Sequence, residues 1–207
     1  MRYYNLKTLT YVVTLSLMAA SCGANEDYIR VAPSLCIPIN YAVTTRNSAL
    51  PSTQLDPDSD SADVSIYLPP KELADAVPGY LAETLIGEQS HQQALYVMIG
   101  QPAVRILEST ATLATLPSAA NLYKAEAGTI AWQVAENREG TYVHWGHCSH
   151  TFVTEKHYDC LRDLQTANYL FTYTIDALNL HLYKEIDAYL LSKASLWKCA
   201  DNREEKL

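Results

Sequence analysis

An α+β fold is predicted for this chain: an antiparallel β-sheet or meander, one short early helix, and a long C-terminal helix packed on the sheet. Three observations carry the prediction. Short runs rich in β-branched and aromatic residues recur along the middle of the chain, separated by turn residues. A proline pair, Pro69-Pro70, opens one short helical stretch. Near the end, the apolar period changes from two to about 3.6.

The elements follow in order. Leu35 to Thr45 (LCIPINYAVTT) reads as a strand, with Pro38 pushing it to an edge or a bulge. Residues 46–62 are polar, carry two prolines and read as a loop. Val64 to Leu68 is a short alternating strand that Pro69-Pro70 stops. Pro70 can take the first helical position of the KELADAV stretch, and Pro78-Gly79 ends it. Tyr80 to Gly87 reads as a further helical turn or two. Ala94 to Ile99 and Val104 to Leu107 read as strands around the turn signal Gly100-Gln101-Pro102. Thr110 to Ala120 has no decisive pattern.

Thr129 to Ala135 alternates, with Ile130, Trp132 and Val134 on one face. Asn137-Arg138-Glu139-Gly140 is a hairpin turn, Thr141 to His150 is the return strand, and Tyr158 to Leu164 and Tyr169 to Ile175 continue the meander. Leu178, Leu182, Ile186, Tyr189, Leu190 and Trp197 then mark one helical stripe. Asp176 or Asn179 can cap this helix, which should run to about Lys198 and face the sheet.

The chain has 207 residues, 48% hydrophobic and only 18% charged, so it is not largely disordered and has room for one domain. A formal charge of −8 argues against nucleic acid, because no basic surplus exists to neutralise phosphates. Tyrosine is unusually frequent, 15 against two phenylalanines, and suits both half-buried strands and recognition surfaces.

The first segment has the layout of an export signal. Arg2 and Lys7 make a positive start, and an apolar run from Leu9 to Ala20 follows, too short for a spanning helix of about 20 apolar residues. Its ending, Leu17-Met18-Ala19-Ala20-Ser21-Cys22, resembles the lipobox of bacterial lipoproteins. In that family the signal is cut before the cysteine, which is then acylated. The resemblance implies a signal peptide at 1–21 and a lipid on Cys22; residues 22–34 then read as a lipidated tether and 35–207 as a single domain. Ala19 departs from the usual leucine, which leaves an ordinary signal peptide open. Gly23 follows the cysteine, and the family rule then implies the outer membrane if the host is Gram-negative; the body is expected to face the periplasm. Losing Arg2 and Lys7 leaves 13 basic against 23 acidic residues and deepens the charge from −8 to −10. Such a body disfavours anionic headgroups, so membrane contact is expected through the lipid alone.

With Cys22 spent on lipid, Cys36, Cys148, Cys160 and Cys199 remain. An even number in an exported chain suggests two disulfides. Three pairings exist, and Cys148–Cys160 with Cys36–Cys199 is favoured. The first pair brackets polar turn material that flanking strands could close, and the second would fasten the start of the body to its end.

The densest chemical cluster is His144-Trp145-Gly146-His147-Cys148-Ser149-His150, followed by His157 and Cys160. On a regular strand His144, Cys148 and His150 share one face while His147 points the other way. His144 and His150 are the candidate metal ligands, although a disulfide would consume Cys148 and no zinc-finger spacing matches. Asp56, Asp58 and Asp60 invite calcium, but Ser61 and Tyr67 stand where the EF-hand needs glycine and glutamate. Catalytic motifs with a GxSxG elbow, an HExxH helix or a phosphate loop do not occur in the sequence. Tyr80 in VPGYL and Tyr123 in NLYKAE are candidates to anchor a partner.

The expected function is a non-enzymatic, protein-binding envelope lipoprotein with no cofactor beyond its covalent lipid, engaging a basic protein partner. An inhibitor or immunity protein against a secreted toxin or hydrolase is one form of it. The alternative is an envelope hydrolase or metal-binding protein that uses the His144 to His157 cluster.

Overall fold

A computed structural model describes residues 28–32, 35–43, 64–86, 88–107, 112–125, 130–150 and 157–199. The signal segment, Cys22 and the polar loop at 46–62 lie outside the described residues.

Eight strands form one antiparallel sheet. They are β3 (Val64–Leu68), β6 (Leu95–Gly100), β7 (Leu113–Leu116), β8 (Ala119–Ala125), β9 (Ala131–Arg138), β10 (Thr141–His150), β11 (Tyr158–Gln165) and β12 (Leu170–Asp176). Their spatial order is β3-β6-β12-β11-β10-β9-β8-β7. Two hairpins stand outside it: β1 (Tyr28–Ala32) with β2 (Leu35–Pro38), and β4 (Glu83–Ile86) with β5 (Gln89–Gln92). Among the described residues the α-helices are α1 (Pro70–Ala76) and α2 (Tyr183–Leu196). This is the predicted α+β arrangement, with most of the meander strands where periodicity places them.

The hairpin between β9 and β10 shows why local chemistry suffices there. Glu139 and Gly140 both adopt positive φ, 52° and 89°, which suits the turn matching the right-handed strand twist. Asn137 adds a side-chain bond, accepting from the Gly140 N–H at 2.8 Å.

Several expectations fail for identifiable reasons. The stretch read as tether contributes β1, which pairs with β2 through Ile29 opposite Ile37. The strand beginning at Leu35 stops at Pro38 and turns into a 3₁₀ turn over Ile39–Tyr41. Within the stretch read as helical from Tyr80, the described residues 80–86 are not helical. Asn179 donates to the Leu81 carbonyl and accepts from the Leu81 N–H, at 3.0 and 2.8 Å, and the chain continues into β4. Asn179 therefore serves this distant bond and caps nothing with its side chain. Val104 to Leu107 is not a strand, because β6 already has β3 and β12 on its two edges. Residues 101–107 run instead as an irregular strap on the sheet face away from α2. There Gln133 donates to the Ile106 carbonyl at 3.4 Å.

The core lies between the other sheet face and α2. Ile66, Val97, Phe171, Tyr173, Ile175 and Trp145 meet Tyr183, Ile186, Leu190 and Ala194 there, all nearly solvent-free. Leu178 is not part of the stripe; it sits exposed in the turn where Asp176 accepts from the Leu178 N–H at 2.7 Å. A 3₁₀ turn over Leu180–Leu182 leads into α2. Both expected disulfides are formed. Cys148 and Cys160 are cross-strand partners on β10 and β11, and Cys36 joins Cys199 just beyond α2.

Beside that second bridge, the Trp197 ring packs tilted against Tyr41 with centroids 5.1 Å apart, and Lys193 ties the end of α2 to α1 through Glu72 at 2.6 Å. Burial alone would raise the Glu72 carboxyl, but hydrogen bonds from Lys193 and Tyr189 outweigh it and hold it below the ordinary value. The lowered folded-state value means this carboxylate stabilises the fold above its unfolded value near 4.5, and that contribution is lost as pH falls through the folded value. The variant Glu72→Gln should therefore lose less stability than the wild type between about pH 5 and about pH 3, read from urea midpoints at each pH.

Candidate functional site

Gly146 interrupts an otherwise regular strand and decides what the histidines can do. His144 pairs with Ala135 and Gly146 with Val134, so β10 spends one extra residue, Trp145, against its neighbour. This is a β-bulge. Trp145 turns to the helical side, where it is fully buried and packs edge-on against Tyr183 at 5.5 Å. The bulge also reverses the side-chain alternation beyond it. His144 and His147, three residues apart, now share one face, with ring centroids at 5.1 Å. The regular-strand reading that separated them is thereby corrected.

Asp163 on β11 meets this pair. His144 Nε2 lies 3.0 Å from Asp163 Oδ2, and Thr172 on β12 donates to Asp163 Oδ1 at 3.0 Å. Both His144 and Asp163 side chains are about nineteen-twentieths buried, 5% and 6% exposed. Burial pushes the Asp163 carboxyl up, yet the bonds from His144 and Thr172 and the Arg105 charge hold it below the usual range. Arg105 arrives from the strap, its Nε 3.5 Å from Oδ2. Asp163 and Arg105, together with Met98, Gly100, His147 and Thr172, line a concavity of about 350 Å³ between strap and sheet.

A second cluster lies four residues along β11 on the same face. Asp159 and Asp176 are directly opposed cross-strand partners, and His157 Nε2 is 3.1 Å from Asp176 Oδ2. Burial and the neighbouring Asp176 charge raise the Asp159 carboxyl. The two Asp–His groups thus flank Leu161.

The other candidates fall elsewhere. His150 does not join His144; its ring packs tilted against Trp132 with centroids 4.9 Å apart, and its Nδ1 is 3.4 Å from the His157 carbonyl. Tyr80 is not an exposed anchor: it is 8% exposed and donates to the Gln93 carbonyl at 2.8 Å. Tyr123 is half-buried and packs edge-on against Tyr142 at 5.1 Å. His147, Asp163 and Arg105 were missed as a set. The glycine inside a strand pattern was the available signal, since it marks a bulge or a close backbone approach.

No family model, curated protein or solved structure matches the chain.

Proposed function

We propose that the chain is an exported, lipid-anchored binding protein of a bacterial envelope that engages a basic protein partner without acting on it chemically. The observation that carries this reading is the strap. Val104 and Ile106 are 88% and 73% exposed, and Met98 and Tyr96 of β6, on the same side of the sheet, are 40% and 57% exposed. Apolar side chains held outward in this way are characteristic of recognition surfaces. The chain's net charge of −8 adds attraction for a basic partner and speeds encounter. The two disulfides fit an oxidising compartment. Acylation at Cys22 would place the body on the periplasmic side of the outer membrane, where inhibition of a secreted toxin or hydrolase is one role it could fill.

The test is affinity capture of the intact chain from its native envelope, alongside the double variant Val104→Asp/Ile106→Asp. A basic protein recovered with the wild type and lost with the variant is the expected result. Capture that the variant leaves unchanged, or recovery of wall fragments with no specific protein, overturns the reading. The alternative of an envelope hydrolase has the buried Asp163–His144 pair in its favour, since it opens beside His147 into a concavity.

A further inference from the structure

We propose that His144, His147 and Asp163 bind one divalent first-row transition ion, such as zinc, beside the concavity under the strap. This goes beyond the partner reading and does not depend on it.

Each of the three residues offers one ligand atom, and these atoms lie within 4.8 Å of one another. Zinc holds nitrogen and oxygen ligands at about 2.0–2.2 Å, so neighbouring donors on a tetrahedral ion stand about 3.3 Å apart. His144 and Asp163 meet at 3.0 Å, close to that spacing before any ion arrives. His147 is exposed at the rim, so rotation of its side chain can close the remaining distance. Two imidazoles and a carboxylate form a donor set that first-row ions accept.

The surroundings fit the same role. Thr172 holds the second carboxylate oxygen and so orients Asp163 from behind, as outer partners do at metal sites. His144 Nδ1 is buried and has no hydrogen-bond partner among the described residues. With Nε2 as the ligand, the neutral ring must carry its proton on Nδ1, the nitrogen that the described residues leave unbonded. The polar capacity of this buried ring is therefore not filled by the protein itself. Three protein donors leave a fourth position open toward the concavity, for water or a donor from a bound molecule.

Arg105 is the rival occupant. Its guanidinium shares Oδ2 of Asp163 with the His144 ring, and a divalent ion there would repel it. The side chain is 48% exposed, so it can swing into solvent as the ion enters. The strap then senses the occupancy of the site through one residue.

The test is calorimetric titration of zinc chloride into the full chain with both disulfides intact, with cobalt(II) followed in parallel by its visible absorption. The expected result is one ion per chain at micromolar affinity or tighter, with cobalt bands of a four-coordinate site. The variant His147→Ala, altered at an exposed position, should weaken binding by about tenfold or more. Arg105→Gln should tighten it, while His150→Ala and Asp159→Asn should leave it unchanged. Affinity no tighter than millimolar, affinity insensitive to His147→Ala, or loss of binding in Asp159→Asn would overturn the proposal.

Discussion

Replacing Gly146 by alanine is expected to destabilise the protein by about 3 kcal/mol or more, beyond the usual range for adding one methyl group. A Cβ at this position would overlap the Leu161 carbonyl oxygen and lie 3.1 Å from the Leu161 carbonyl carbon and 3.2 Å from Arg162 Cα. These are backbone atoms of the paired strand β11, so no side-chain rotation relieves the clash. Either β10 separates from β11 or the bulge is lost. Losing the bulge reverses the alternation, which removes Trp145 from the core and parts His144 from His147. Urea denaturation should show the lower midpoint, and near-ultraviolet circular dichroism should show the altered Trp145 environment. An unchanged midpoint would mean that β10 does not approach β11 as closely as described.

The second large effect concerns the charge buried under α2. Arg162 is 4% exposed and donates from Nη2 to Asp187 Oδ2 at 2.9 Å and from Nη1 to the Trp145 carbonyl at 2.9 Å. Tyr173 donates to the other Asp187 oxygen at 2.8 Å. Burial by itself would lower the guanidinium pKa, but Asp187 more than offsets this and raises it. Asp187→Ala leaves a buried cation and a buried hydroxyl without that acceptor, so a loss of about 3–5 kcal/mol is expected. Replacing both partners, Arg162→Met with Asp187→Leu, should lose clearly less, because no uncompensated charge remains. Equal losses in the single and double variants would show that the pair contributes through packing rather than charge.

The parts legible in the sequence are those that local chemistry determines. Pro70 and Pro78-Gly79 bound α1, and Glu139-Gly140 sets the turn between β9 and β10. Strict alternation finds β3, and a helical period finds most of the stripe on α2. The unreadable parts depend on distant partners. Leu81 is outside any helix because Asn179, 98 residues away, holds both its backbone polar groups. The strap is irregular because β6 is flanked by β3 and β12, a fact of sheet order that residues 101–107 do not encode. The candidate site was half visible. The histidine cluster stood out, but the side each histidine faces hangs on one inserted residue, and Asp163 enters only through the register of β11.

The covalent link between Cys36 and Cys199 also has a mechanical meaning. Cys36 donates its backbone N–H to the Trp197 carbonyl at 2.7 Å, and Leu35 bridges Lys198, so β2 and the end of α2 are joined side by side. A pull applied to the chain ahead of β1 reaches this bond before it reaches the eight-stranded sheet. The load passes from β2 into α2, whose long packed face resists it in shear, and the strands that carry the histidines are not peeled one by one. Tension entering from the N-terminal side could thus be taken up while the strap and the concavity keep their shape.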